Sequence, residues 1–452
     1  MRKPIRFNAF LLNSPTHLAP GMWTHRDDRS RDYLDMKHWL ALGRLLEAAR
    51  FDAIFFADVL GPHAAHGDGL ARSIESAAQL PVNDPLPVIA GLSTVTENLC
   101  FGFTSSVFAE HPYVFARRIS TLDHLTRGRV AWNIVTSYLP GALDSLGRPE
   151  LADHDLRYDY ADEYLSVCYQ LWEGSWRDDA VLRDAAAGRY ADAARVRAVA
   201  HAGRHFNVSG IHLSEPSPQR TPLLFQAGAS PRGIRFCAQH AECAFVVAHT
   251  PERLAQLVDA IRDRTEQAGR PRDAVRIYAQ AAIVVAETDA LAAATLADYR
   301  RHVDRDAVRA LLSGWLGIDF AALDGAAPLT TFDNRAIQSL ATQFAQADGS
   351  GWTVDRVIDW AGLGGLGPVL SGSPRTVADA LEHWFDTTGI DGLNVPYLTL
   401  PDSYRQIASL LVPELTRRQR YPAAYAPGSF REKLFGAAAR VPDNHAAARY
   451  RW

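Results

Sequence analysis

"VAWNIVTS", residues 130–137, is apolar at every position except Asn133 until it ends on Thr136 and Ser137. A strand with one face in water alternates polar and apolar residues. A run that is apolar at successive positions is covered on both faces, as the strands of a parallel sheet are. Its amide and two hydroxyls then need a destination other than open solvent. In an α/β barrel the carboxyl ends of the strands form the rim on which the active site is built, and polar residues gathered there are candidates for chemistry.

Seven further runs resemble this one: "IRFNAFLL" (5–12), "FDAIFFAD" (51–58), "LCFGFTSSV" (99–107), "TPLLFQAG" (221–228), "ECAFVVAH" (242–249), "VRIYAQAAIVVA" (275–286) and "IDGLNVPY" (390–397). Between them lie amphipathic segments. "HWLALGRLLEAARF" places Trp39, Leu42, Leu45 and Leu46 at helical spacing, and "RLAQLVDAIRDRTEQAG" closes on Gly269 as helices commonly do. Eight covered strands alternating with helices predict a (β/α)8 TIM barrel, with an open doubly wound sheet as the alternative. The reading is one barrel domain over residues 1–452, with insertions at about 59–98, 138–220 and 290–370 and a C-terminal tail at about 422–452. Connections this long on the catalytic face build lids and pocket walls. The Ala-rich "RDAAAGRYADAARVRAVA" reads as surface helix and loop.

The balance of 47 Lys plus Arg against 51 Asp plus Glu gives a net charge of −4 without a long single-sign run, which argues against nucleic acid as a partner. The first residues contain no apolar stretch long enough for a signal peptide or a membrane span, so the expected location is the cytoplasm. Cys100, Cys168, Cys237 and Cys243 lack the spacing of a zinc or redox motif and read as buried thiols.

The polar residues at the run ends are the candidate site. Asp58 ends the second run, where it either caps the following loop or holds a ligand. Thr104, Ser105 and Ser106 end the third and could satisfy loop amides or hydrogen-bond a flat heteroaromatic ring. "QAGASPRG" leads through Ser230 into a helix with Pro231 in its first turn, a start that leaves amides open to a phosphate or is simply capped. His154 and Tyr158 are four apart on one face of the helix predicted by "DHDLRYDYADEYLSVCYQLW". His17, His63 and His66 lack the H-x-H pair and later carboxylate of barrel metallohydrolases, so no metal set is expected among them and a hydrolase is a minor alternative.

Taken in order, "FDAIFFADVLG", "QLPVNDPL", "FTSSVFAEHPYVFARRISTLDHLTRGRVAWNIVTS", "HDLRYDYADEYLSVCYQLWEGSW", "EPSPQRTPLLFQAGASPRG" and "GIDGLNVPYLTLP" with "VPELTRR" resemble the bacterial-luciferase-like, two-component flavin monooxygenases of the nitrilotriacetate, dibenzothiophene-sulfone and long-chain alkane type. The ending "FREKLFGAAARVPDNHAAARYR" is most similar to the alkane branch. The resemblance covers nearly the whole chain and is weakest over about 290–370. It implies a barrel that uses FMN as FMNH2 from a separate NAD(P)H:FMN reductase, and O2, to oxygenate a small organic molecule through a flavin peroxide. By motif match it places the flavin on Asp58, Thr104, Asn133, Ser137, His154, Tyr158 and Ser230, and it implies a homodimer or homotetramer. At Ser105–Ser106 it implies a non-proline cis peptide behind the ring. His17 and Gln79 are candidates for proton transfer or pocket polarity. Ser14, His63 and Tyr138 stand where the alkane branch carries Cys, Tyr and His, so the expected substrate bears a heteroatom: sulfur, nitrogen or halogen. A deazaflavin-dependent oxidoreductase on the same fold is the alternative.

Overall fold

The computed structural model describes residues 3–63, 70–137, 139–147, 154–228, 230–332, 344 and 351–452. Eight parallel strands close into a barrel: β1 (Phe7–Leu12), β2 (Ala53–Ala57), β3 (Cys100–Ser106), β4 (Val130–Val135), β5 (Leu223–Ala227), β6 (Cys243–Val246), β7 (Arg276–Gln280) and β8 (Gly392–Pro396). Each pairs with the next, and β8 returns to β1 through Phe7↔Leu393 and Asn8↔Asn394. Every expected run contains one of these strands, and closure rules out the open sheet. One run was read too long: 275–286 holds β7 and then a separate strand, Ala282–Val285, which leaves the barrel to pair with Val369–Gly372. Both segments are apolar, so composition alone does not reveal the break.

Period-two alternation explains the composition. On β2, Ile54 and Phe56 face the helices while Ala53 and Phe55 face the barrel axis. On β4, Trp132 and Ile134 pack outward while Ala131 lies on the inner side, which puts Asn133, two residues on, inside. The outward Trp132 is fully buried and donates its indole N–H to the Ser105 carbonyl at 2.9 Å. A side chain of that size contributes about 2–3 kcal/mol by leaving water. On β3 the inner position below Thr104 is Gly102. A Cβ there would stand 2.8 Å from the Phe55 ring, so only glycine admits that phenylalanine.

The opposite end of the barrel is stoppered by the C-terminal helix Phe430–Phe435, whose Phe430 and Leu434 join the axial cluster. Arg431 and Glu242, both buried, pair at 2.6 Å, and Arg431 also donates to the carbonyls of Thr221 and Pro222. Taking two charges out of water is costly unless their hydrogen bonds are met, as these are. The helix thus closes the barrel axis at this end, opposite the carboxyl-end mouth.

The Ala-rich segment departs from expectation. Val181–Asp184 pairs with Arg189–Ala191 as a hairpin turning on Gly188 (φ +64°), and Val199–Ala202 pairs with Asn207–Gly210. The helix propensity of alanine is worth well under 1 kcal/mol per residue, and backbone pairing in the fold outweighs it. The helix His154–Gly174, by contrast, buries Tyr164, Leu165, Cys168 and Leu171 as its spacing requires. Cis peptides among the described residues are Leu80–Pro81 and Leu400–Pro401. The expected cis bond at Ser105–Ser106 is not found; the pairing with β4 runs unbroken through Ser105↔Ile134 and Ser106↔Val135, in regular extended backbone. No described helix is long and apolar enough to cross a membrane.

Candidate active site at the barrel mouth

A cavity of about 270 Å3 opens at the carboxyl ends of the strands. Phe10, Phe55 and Phe245 form an apolar floor, the Phe10 ring meeting the other two edge to face at 5.6 and 5.0 Å. Leu18, Trp315 and Leu366 wall the outer side. Asp58, Gln79, Thr104, Asn133 and Gln280 supply the polar atoms of this lining, with His17 beside them. A side pocket of about 50 Å3 shares Asp58 and Thr104 and extends to Ser106 and Ser137. Mostly apolar walls with a few convergent polar groups are what a small-molecule site requires. A larger cavity, about 850 Å3, lies among charged groups such as Arg232, Arg264 and Arg449 and holds none of the strand-end candidates.

Strand register builds the polar edge. Thr104 of β3 lies opposite Asn133 of β4, and Asn133 Nδ2 donates to Thr104 Oγ1 at 3.0 Å. Thr104 in turn donates to the Phe56 carbonyl at 2.9 Å. Asn133 Oδ1 is buried and has no partner among the described residues. A buried acceptor left unmet costs about 1–3 kcal/mol, so it is waiting for a donor. Ser137 holds a left-handed backbone (φ +47°), and its hydroxyl meets that of Ser106 at 2.8 Å. For a non-glycine residue that conformation costs about 1–2 kcal/mol, and strain of this kind clusters at ligand sites.

Burial decides the charge states. It pushes the Asp58 carboxyl up to about 7, against the hydrogen bond it accepts from the Val59 N–H, and the nearby Asp84 raises it further. Burial pulls His17 down to about 3, opposed only by its contact with the Phe10 carbonyl, so the imidazole is neutral. An unfolded aspartate ionises near 3.9. Between about 4 and 7 the folded chain therefore keeps a proton that the unfolded chain has lost. The stability present at low pH is lost as the pH rises through about 7, and Asp58→Asn removes that dependence. The melting temperature of Asp58→Asn minus that of the parent is expected to grow from pH 4 to pH 8 in scanning calorimetry; a difference independent of pH would place Asp58 in water.

Other candidates tie this lining to the segments behind it or lie away from it. Gln79 donates to the His17 carbonyl at 2.9 Å and bonds His63 Nε2 at 3.0 Å, so the three form one chain behind the mouth, joining two loops. His63 is 1% exposed and lies against Gly314, on the helix Arg305–Leu316 of the third insertion. Ser14 is buried, accepts from the Thr16 N–H, and does not line the mouth. Tyr138 and His66 lie outside the described residues. His154 begins the long helix, and its side chain is likewise outside the description.

Tyr158 and Ser230 meet at a second locus, beside the end of β5. Ser230 caps the helix Pro231–His240 by accepting from the Gly233 N–H at 3.0 Å, and it is also hydrogen-bonded to the Tyr158 hydroxyl. A Cβ on Gly233 would stand 2.9 Å from Tyr158 Oη and 3.1 Å from Ser230 Oγ. Two hydroxyls and a helix N-terminus thus crowd round a glycine, a cradle that suits an anion. Sequence reading missed the aromatic floor and Gln280, Trp315 and Leu366. Phe10, Phe55 and Phe245 differ from their neighbours only in parity, Gln280 is hidden inside the overlong run 275–286, and Trp315 and Leu366 lie in a distant segment without a motif.

A profile of luciferase-like monooxygenases matches residues 13–392. The chain is 42% identical to the dimethyl-sulfide monooxygenase of Hyphomicrobium sulfonivorans, over 100% of this chain and 94% of that one. It is 40% identical to the long-chain alkane monooxygenase of Geobacillus thermodenitrificans, over 100% and 99%. A solved riboflavin lyase, described with modified FMN and riboflavin, superposes with a TM-score of 0.91 at 31% identity, covering 100% of both chains.

Proposed function

Because the chain belongs to the luciferase-like monooxygenase family, we propose that it is a flavin-dependent monooxygenase, taking reduced FMN from a separate NAD(P)H:FMN reductase to oxygenate a small organic substrate with O2. The observation that carries this is the Thr104–Asn133 pair, with its unmet Oδ1, set in an apolar mouth beside a carboxyl that burial keeps protonated up to about pH 7. An isoalloxazine offers a flat apolar face and an N–H edge, the two things this cavity lacks. The Tyr158–Ser230–Gly233 cradle suits the phosphate at the other end. His154, at the start of the helix that carries Tyr158, is assigned to the same end.

When bound, reduced FMN supplies the electrons with which one oxygen atom of O2 enters the substrate and the other leaves as water. The chain does the rest. Phe10, Phe55 and Phe245 exclude water from the reacting face. Asn133 and Thr104 would hold the polar edge of the group, with Ser106 and Ser137 beside them, and Asp58 holds a proton on its carboxyl at the mouth. Neutral His17, with Gln79 behind it, orients the substrate as a hydrogen-bonding group rather than as a base. Leu18, Trp315 and Leu366 beside Gln280 suit a compact, mostly apolar molecule with one heteroatom. His63 acts through Gln79, and Ser14 and Tyr138 are kept as candidates for the outer pocket. The working form is assigned as a homodimer or homotetramer.

Anaerobic titration with FMNH2 tests the reading. Tyr158→Phe with Ser230→Ala deletes both cradle hydroxyls and is expected to weaken binding by about 2 kcal/mol, roughly 30-fold. Parent-like affinity in the double variant would move the phosphate elsewhere. Turnover that proceeds without oxygen would overturn the monooxygenase reading in favour of a deazaflavin hydride transfer.

A further inference from the structure

Away from the mouth, three side chains with metal-ligand chemistry converge. Asp298 and His302 stand one turn apart on the helix Asp289–His302, and His25 reaches them from the loop after β1. One ligand atom from each lies within 4.8 Å of the others. Two imidazoles and one carboxylate make a donor set suited to zinc and its neighbours, with a further position left for water.

The surroundings are those of an oriented set. His302 Nδ1 lies 3.2 Å from Thr24 Oγ1. Thr24 uses its own proton on the Gly21 carbonyl at 2.8 Å, so it accepts from His302 Nδ1–H, and Nε2 is left with its lone pair. His25 Nε2 sits 3.0 Å from Asp298 Oδ2, while its Nδ1 accepts from the Asp27 N–H at 3.2 Å. The proton of His25 is therefore on Nε2, between two potential ligand atoms. The set also stands at the helix C-terminus, where the macrodipole favours positive charge. Arg301 engages the other oxygen of Asp298, leaving Oδ2 to the cluster.

We propose that His25, Asp298 and His302 form a binding site for a divalent cation of the zinc class, which pins the third insertion to the loop after β1. On binding, the cation takes the Nε2 position of His25, and the proton moves to Nδ1. That costs the Asp27 N–H bond, but the Asp27 carboxylate, 4.0 Å from Nδ1, is at hand to receive it. The pinned loop matters because it carries His17 and Leu18 to the mouth. It is already tied to the insertion where Pro20 accepts from the Asp304 N–H and Leu18 from the Gly364 N–H. The site is a structural clamp, separate from the flavin assignment.

Untagged protein stripped by chelator and titrated with ZnCl2 in a calorimeter tests the site. The parent is expected to bind one Zn2+ per chain, to give visible Co2+ bands on cobalt loading, and to melt higher with zinc than without. Asp298→Asn with His302→Ala, both at partly exposed positions, should weaken that binding by about 100-fold or more and abolish the zinc-dependent rise in melting temperature. Asp298→Asn alone keeps a hydrogen bond to His25, so a plain polar tie would survive it while the cation site would not. No saturable binding to the parent, or equal binding by the double variant, overturns the proposal.

Discussion

Replacing Asn133 by leucine is expected to lower kcat/KM by about 100-fold, a loss of about 2.7 kcal/mol, while leaving the barrel close to parental stability. Catalysis should fall because the amide is the polar group that strand register places on the cavity's inner face, opposite Thr104. Stability should hold because two terms offset. The Asn133–Thr104 bond contributes about 1 kcal/mol, and the unmet Oδ1 costs about 1–3 kcal/mol, so leucine, of similar volume, removes a gain and a penalty together. Thr104 keeps its bond to the Phe56 carbonyl and stays in place. Steady-state turnover with a flavin reductase, scored by oxygenated product, and thermal melting are the two measurements. A variant that loses both activity and fold would make Asn133 structural, and one that loses neither would remove it from the site.

The second large effect is at Gly314. A Cβ there would stand 2.0 Å from His63 Nδ1 and 2.8 Å from its Cγ. His63 has little room to retreat, being buried and held at Nε2 by Gln79. Alanine in a helix is favoured over glycine by about 1 kcal/mol. Overpacking of a locked side chain costs about 1–3 kcal/mol, so the clash wins. Gly314→Ala is expected to displace His63, and through Gln79 the His17 segment, raising KM for the substrate by about 10-fold or more. Affinity for FMNH2 should stay within about 2-fold, since the added Cβ meets His63 and neither the Thr104–Asn133 pair nor the cradle. An unchanged KM would show that the chain of three polar residues does not report to the pocket.

Much of this was legible in one dimension. Runs apolar at successive positions suit strands covered on both faces, so eight of them between helical segments pointed to a barrel or an open doubly wound sheet, and the polar residues in and after them marked Asp58, Thr104, Asn133 and Ser137. The resemblance added Tyr158 and Ser230, which local spacing alone left as a helix face and an ordinary cap. The Ala-rich hairpin was misread because a weak local propensity was weighed without the pairing that overrides it. The run 275–286 was misread because an apolar strand leaving the barrel has the composition of one staying in it.

The sequence by itself placed the eight barrel strands along the chain and the polar residues at most of their ends, because both follow from periodicity within a few residues. Tertiary structure alone decided which strand-end atoms have partners and which, like Asn133 Oδ1, are left waiting. It alone joined His17, Gln79, His63 and Gly314, and brought His25 to Asp298 and His302. Contacts between segments hundreds of residues apart are set by barrel closure and insertion packing, and no local pattern carries that information.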